Sequence, residues 1–276
     1  LVTPNVDVAD WKLSITGMVD RPFELTFDEL VAMADTEETV TIACVSNDVG
    51  ADLVGNARWQ GVPLRRLLER AGVQAGAGQV VGMSVDDFAA GFPIEALDGD
   101  RIALVAVGMN GEPLPVDHGF PARLVVAGLY GYVSATKWLS EIRLTTWEGF
   151  DGYWMPRGWS KLGPVKTQSR IDVPRPRSTI GPGPTPIAGV AWAPTKGIRR
   201  VEVQVDDGPW VDASLGDVVS DNTWCQWVTS WDATPGEHRI RVRATDGTGE
   251  VQTERQMPVV PDGATGWHTV KTTVSE

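Results

Sequence analysis

Cys44 carries the most reactive side chain in this sequence. It follows Val40, Thr41, Ile42 and Ala43, a β-favouring run, and precedes Ser46, Asn47, Asp48 and Gly50, a set of turn formers. A thiol brought by a strand to the head of a loop is where a nucleophile or a metal ligand sits. A lone cysteine is also commonly a small buried hydrophobe, so its neighbours must decide. Nucleophilic use requires a base, and only His118, His238 and His268 are present. His238 stands beside a turn and reads as a surface residue. His268 follows Trp267 and reads as structural. His118 lies in a polar, turn-rich stretch, residues 113–123, so a Cys44/His118 thiol hydrolase is one reading. No hydrolase signature surrounds Cys44, which counts against it.

A second group of residues suits anions. Gly128, Gly131, Ser134, Ala135, Thr136 and Lys137 fall within eleven residues that end at Trp138. Glycines, small hydroxyl residues and a lysine can surround a phosphate with backbone N–H groups and one cation. A glycine-rich hairpin would give the same letters. His118 and Arg123 add two further anion-binding groups just upstream, and together these residues suggest a pocket for a phosphorylated cofactor.

Alternation and caps define the elements that must hold these groups. Trp11, Leu13 and Ile15 alternate as a half-buried strand. Thr26 and Glu29 form a capping box that predicts a helix over 27–33. Leu64, Leu67, Leu68 and Ala71 predict a second helix, stopped by Gly72. Strands are expected over 79–84, 102–107, 123–126 and 138–144, with 86–92 a loop and Asn110 and Gly111 a hairpin turn. After Asp172, prolines 174, 176, 182, 184 and 186 mark a linker. Beyond it Val201, Val203 and Val205, then Ile240, Val242 and Ala244, alternate with polar residues, the signature of an all-β sandwich.

The expected architecture is α+β over residues 1–174 followed by a β-sandwich over 175–276. At 276 residues, 42% apolar, the chain is long enough for two cores. No apolar run is long enough to span a membrane. A net charge of −12 argues against nucleic acid as a partner. Cys44 and Cys225, expected in different domains, are not expected to pair, and two cysteines cannot build a four-ligand zinc site. The chain begins at Leu1 rather than Met, which leaves room for an upstream export signal or anchor, so an extracytoplasmic or membrane-associated location is the expectation.

The order Asn110, Gly111, Glu112, Pro113, then Asp117, His118, Gly119, Phe120, Pro121, then Arg123, and finally Lys137 and Trp138 resembles the molybdopterin domain of the sulfite oxidase family. Cys44 with Asn47, followed by Ala57, Arg58, Trp59, Gly61 and Val62, is similar to that family's molybdenum-cysteine region. Gln168, Ser169, Ala191, Trp192, Val201, Val203, Trp224 and Trp227 resemble its C-terminal immunoglobulin-like dimerisation domain. The resemblance implies a molybdopterin-dependent oxidoreductase that transfers an oxygen atom at a molybdenum bound by the Cys44 thiolate. It implies that His118, Arg123 and Lys137 hold the pterin and its phosphate, that backbone groups over Ser134, Ala135 and Thr136 assist, and that Asn47 shapes the loop beside the metal. Asp86 or Asp87 would face the cofactor or its mouth. Tyr153, Trp154 and Arg157, with Trp159, would line the substrate entrance or pack as an ordinary cluster. A small-molecule substrate, a separate electron-transfer partner and a homodimer are the implied partners.

Departures from the pattern bear on the substrate. The family's sulfite oxidases carry arginines soon after the metal cysteine, where this chain has Asp48, Val49 and Gly50, and an arginine where this chain has Cys225. Sulfite is a small dianion and needs a cluster of cations, so the expected substrate is a small S- or N-oxide. The residues alone also fit a metal-free scaffold that retains the fold.

Overall fold

Leu13 and Ile15 are fully buried and their neighbours are not, as the alternation requires. The structure, a computed structural model, describes residues 3–276. Contacts divide the chain into two units. The first takes the described residues up to 45 together with 56–164, and the second takes 46–55 together with 165–276.

The first unit is built on two five-stranded sheets. One runs in the order Phe23–Thr26, Lys12–Gly17, Leu139–Thr145, Gln79–Ser84, Ala89–Pro93. Lys12–Gly17 and Leu139–Thr145 pair in parallel, and the other neighbours are antiparallel. The other sheet runs Thr36–Ala43, Val54–Pro63, Ala103–Met109, Glu112–Pro113, and Arg123–Val126 pairs with Ala103–Met109. Both expected helices form. Phe27–Ala32 starts on the Thr26/Glu29 capping box, and Leu64–Ala71 buries Leu64, Leu67, Leu68 and Ala71 before Gly72 closes it at φ +69°.

Four points differ from what the sequence suggests. Helices are too few for an α+β fold: the α-helices are six, eight and four residues long, and the protein is mostly β. Residues 89–93 form an edge strand rather than a loop, pairing with Gln79–Ser84. Val54–Pro63 is a strand that sequence alternation does not announce. Its buried positions are Ala57, Trp59, Gly61 and Val62; the first three alternate with exposed ones, but two of the four are small and Val62 breaks the alternation. Gly61 is required there, since a Cβ would stand 2.3 Å from the Val105 carbonyl oxygen.

The fourth concerns the boundary. The units divide at Pro164, ten residues ahead of position 174, because Gln168–Val173 pairs with Gly183–Trp192 inside the second unit. The proline-rich stretch therefore lies inside the second unit, with Pro184 and Pro186 in the strand Gly183–Trp192 and Pro174, Pro176 and Pro182 outside strands. Pro184 and Pro186 pair only with Cys225–Ala233, since Gln168–Val173 reaches no further than Ala188. A residue without an N–H is tolerated where only one neighbour is present.

The second unit holds a four-stranded and a five-stranded sheet. Ile171, Ile187 and Trp227 from the first meet Val203, Ile240, Val242 and Val270 from the second in one core. Among the described residues no helix is long and apolar enough to cross a membrane.

Candidate functional site

Cys44 stands one residue past Thr36–Ala43 and its thiol is exposed. The strand end abuts the short Gly131–Ser134 helix: a Cβ on Gly131 would lie 3.8 Å from the Ala43 carbonyl oxygen. The Cys44 strand and the glycine-rich stretch therefore adjoin within one unit, although 87 residues separate Cys44 from Gly131.

Arg123 is 6% exposed, yet carries a full guanidinium. Its Nη1 donates to the His118 carbonyl at 3.0 Å, its Nε reaches the Leu124 carbonyl at 3.4 Å, and its charge lies over the Trp59 ring. Among the described residues no carboxylate pairs with it. Burial lowers its pKa to about 10. A buried cation with only carbonyls and a ring for company is poorly compensated, and an incoming anion would complete it.

Lys137 lies close by. Its Nζ donates to the Asp117 carbonyl at 2.9 Å. Its pKa is lowered, first by burial and then by the Arg123 charge, against the opposing pull of Asp117 and Asp86. Two cations close enough to disfavour each other, both fastened to residues 117–118, are brought to one place by a clasp between turns. Gly119 sits at φ +109°, and a Cβ there would lie 2.9 Å from the Lys137 Cβ. The Trp138 indole donates to the Val116 carbonyl at 2.8 Å and the Trp138 N–H to Gly119. The His118 ring is exposed beside this clasp.

The stretch before Lys137 is largely engaged with the chain itself. The Ser134 hydroxyl donates to the Tyr130 and Leu129 carbonyls, the Ala135 N–H to Gly131, and the fully buried Thr136 hydroxyl to the Gly82 carbonyl. The N–H groups of Thr136 and Lys137 donate to no group among the described residues. The expected anion cradle thus reduces to Arg123, Lys137, His118 and these two amides, with Ser134 and Ala135 shaping it. This donor set fits an anionic cofactor group.

Tyr153, Trp154, Arg157 and Trp159 form one cluster, joined to the Gly131–Ser134 helix through Tyr132. Tyr132 and Trp159 rings are 5.9 Å apart, Trp159 and Trp154 6.4 Å, and Trp154 and Tyr153 5.0 Å. Tyr153 is 51% exposed. The Arg157 guanidinium stacks 3.6 Å from the Tyr153 ring centre and donates to the Tyr153 carbonyl at 2.6 Å. Asp86 and Asp87 form an exposed turn, and Asp86 acts on Lys137 through its charge.

Asn47 belongs to the second unit, where its Oδ1 accepts from the Leu53 N–H at 2.7 Å and closes the loop on itself. Cys225 is buried in the second unit opposite Ala191, and burial pushes its thiol pKa up. Both cysteines are free. Neither Cys44 nor His118 is hydrogen-bonded to the other among the described residues. His238 is half-buried near the surface, its ring held between Asp206 and the Thr234 carbonyl. Trp59, the platform under Arg123, was legible only as part of a resemblance; nothing in its local sequence announces it.

The profile of the family described as "oxidoreductase molybdopterin binding domain" matches residues 1–154. An oxidoreductase of Bacillus subtilis, YuiH, is 35% identical over 157 residues, covering 57% of this chain and 76% of that protein. Mitochondrial sulfite oxidase of Homo sapiens is 27% identical, covering 94% of this chain. The chain spans 56% of the length of that relative. The sulfane dehydrogenase SoxCD of Paracoccus pantotrophus has the same fold, with a TM-score of 0.84 at 24% identity over 99% of this chain and 80% of its own.

Proposed function

This chain belongs to the oxidoreductase molybdopterin-binding domain family, and from that membership we propose a sulfite oxidase-type enzyme whose molybdenum is bound by Cys44. When bound, the cofactor supplies two-electron oxygen-atom transfer, and the protein supplies binding, orientation and selection. A thiolate is a suitable ligand for a metal that already carries sulfur donors. Arg123 and Lys137 would hold the anionic end of the cofactor, with the Thr136 and Lys137 amides beside them and His118 at the rim. Asn47 would fix the loop that follows the metal cysteine.

One observation carries this reading above the others: Arg123 is buried without a carboxylate, next to a second cation, in the unit that also presents Cys44. A scaffold that had lost its cofactor would have no reason to keep that cost. The substrate is proposed to be a small S- or N-oxide, on the ground that Tyr153 and Trp154 present aromatic faces and Arg157 is already held by Tyr153. The second unit is proposed as an immunoglobulin-like domain of the dimerisation type, supported by its two sheets around one core, and a separate protein would supply or remove the electrons.

Elemental analysis tests the cofactor assignment. The purified full chain is expected to hold about one molybdenum per polypeptide, and Cys44→Ser and Arg123→Ala are expected to lose most of it. Stoichiometric molybdenum in both variants would refute the assignment. Metal-independent labelling of Cys44 by an electrophilic substrate would instead support the hydrolase.

A further inference from the structure

Residues 46–55, which begin two positions after Cys44, pack into the second unit. The loop is closed by its own bonds. Asn47 accepts from the Leu53 N–H, and the Ala51 N–H donates to the Asp48 carbonyl at 3.0 Å. Its apex, Gly50 and Ala51, is gripped from outside by two side chains. Arg170 Nη1 donates to the Ala51 carbonyl at 3.0 Å, and the rest of its guanidinium is fastened to Asp172, with Nε 2.6 Å from Oδ1. The His268 ring lies against Gly50 so closely that a Cβ there would stand 2.2 Å from Cδ2, and Gly50 also adopts φ +80°. His268 is itself oriented, because its Nδ1 accepts the Ile171 N–H at 2.9 Å. That bond exists only while Nδ1 is unprotonated.

We infer that Arg170 and His268 are positioning residues that lock the loop following Cys44, and so hold still the chain into which the cysteine leads. The inference rests on the assignment of Cys44 as a ligand only for its consequence, since the lock is defined by bonds that exist without any ligand. Loops whose apex is clamped open rarely, and the clamp is the element whose removal makes local opening easy. Burial and the Arg170 charge both lower the His268 pKa, while Asp172 opposes them, so the lock is engaged at neutral pH and released by acid.

Hydrogen exchange on the full chain tests this. His268→Ala and Arg170→Ala are expected to speed exchange across 46–55 at least tenfold, with the strands Gly236–Asp246 and Gly183–Trp192 unchanged. His268→Asn, which restores an acceptor for the Ile171 N–H, is expected to recover part of the protection and shields the test against a variant that fails to fold. Molybdenum content is expected to fall in step with loop protection. Wild-type loop exchange, corrected for intrinsic rate, should stay low at neutral pH and rise only in acid, below the ordinary histidine range, because the His268 pKa is lowered, and the His268→Asn profile should be flat. Unchanged exchange over 46–55, or an increase spread evenly over 165–276, would overturn the lock. The control is Cys44→Ser: lost metal with normal loop exchange leaves the lock standing, whereas a wild-type chain without molybdenum removes the ligand assignment and not the lock.

Discussion

The Arg123 guanidinium lies 4.9 Å from the centre of the Trp59 ring. The Trp59 indole in turn donates to the Val40 carbonyl at 3.3 Å, on the strand that ends beside Cys44. Trp59 thus supports the buried cation with its face and the cysteine strand with its edge. A cation over an aromatic face gains about 0.5–2 kcal/mol, less than the penalty of burying a charge without an anion. The arrangement is therefore a poor one for the empty protein and a good one for a protein with an anion in place.

Arg123→Met is expected to separate stability from binding. Replacing an unpaired buried charge by an apolar side chain of similar size should stabilise the cofactor-free protein by ~1–4 kcal/mol, read by urea unfolding. The same variant should retain less than about a tenth of the molybdenum, since a charge-assisted contact is worth ~1.5–3 kcal/mol. Loss of stability together with full metal retention would show that Arg123 is a packing residue.

Cys44→Ser is expected to leave the fold alone. The side chain is exposed and makes no bond that holds another element, so a change within ~0.5 kcal/mol is the expected unfolding result. Metal retention should fall sharply, since a hydroxyl is a harder and poorer ligand than a thiolate. Unchanged metal content would transfer the ligand role elsewhere.

The sequence disclosed the parts of the fold that local rules decide. Thr26 and Glu29 cap a helix wherever they occur, and Gly72 ends one because only it adopts φ +69° without strain. Val54–Pro63 escaped because two of its four buried positions, Ala57 and Gly61, are small, and Gly61 is small because the Val105 backbone leaves no room for a Cβ. The proline-rich stretch misled for a related reason: a proline's tolerance in a strand depends on which neighbours the strand has. At the site, Arg123 and Lys137 were legible as cations, but not that one is buried and the other fastened to Asp117. Ser134 and Thr136 look like phosphate ligands in sequence, and their hydroxyls turn out to serve Tyr130 and Gly82.

Asp246 is expected to be the most sensitive carboxylate in the second unit. It is fully buried and accepts from Lys196, Thr167, Thr248 and the Glu250 N–H. Those bonds outweigh burial and hold its pKa well below the usual carboxylate range. A depressed pKa means stability that is present above the unfolded value, near 4, and is lost as pH falls below it. Asp246→Ala should cost about 3–5 kcal/mol at pH 7, and the gap to wild type should shrink toward pH 3. A loss under about 1 kcal/mol at neutral pH would contradict this.

The two histidines of the second unit should respond to pH in opposite directions. Both ring nitrogens of His238 face acceptors, Asp206 Oδ2 and the Thr234 carbonyl, each at 2.8 Å, and only the imidazolium has two N–H groups to give. The hydrogen bond that the His238 ring donates to Asp206 is the main cause of its raised pKa. Its stabilisation is complete below the ordinary value near 6.5 and disappears as pH rises through the raised one. His268 is the reverse: its pKa is lowered by burial, so acid destabilises the fold by forcing a proton onto Nδ1. Urea unfolding of His238→Gln against wild type should show the larger difference at pH 6 than at pH 9. A difference that grows with pH would mean that His238 is held neutral.

Substrate choice follows from the cations that are left over. Arg123 and Lys137 are fastened to residues 117–118 and assigned to the cofactor. Arg157 is stacked on Tyr153 and bonded to its carbonyl. A dianion such as sulfite needs several fixed cations, because one exposed ion pair gains only ~0–1 kcal/mol. The loop after Cys44 contributes Asp48 and Asp52 and no basic residue. Exposed Tyr153 and Trp154 instead offer aromatic faces, which attract sulfur by ~0.3–1.5 kcal/mol per contact and need no net charge on the partner. Steady-state kinetics on the metal-replete chain, with a dye as electron donor or acceptor, should therefore give a higher kcat/KM for a neutral sulfoxide or N-oxide than for sulfite. Tyr153→Ala and Trp154→Ala should raise KM for the neutral substrate severalfold while leaving molybdenum content unchanged. If sulfite gives the higher kcat/KM, or if both alanine variants keep the wild-type KM, the aromatic cluster is packing and the entrance lies elsewhere.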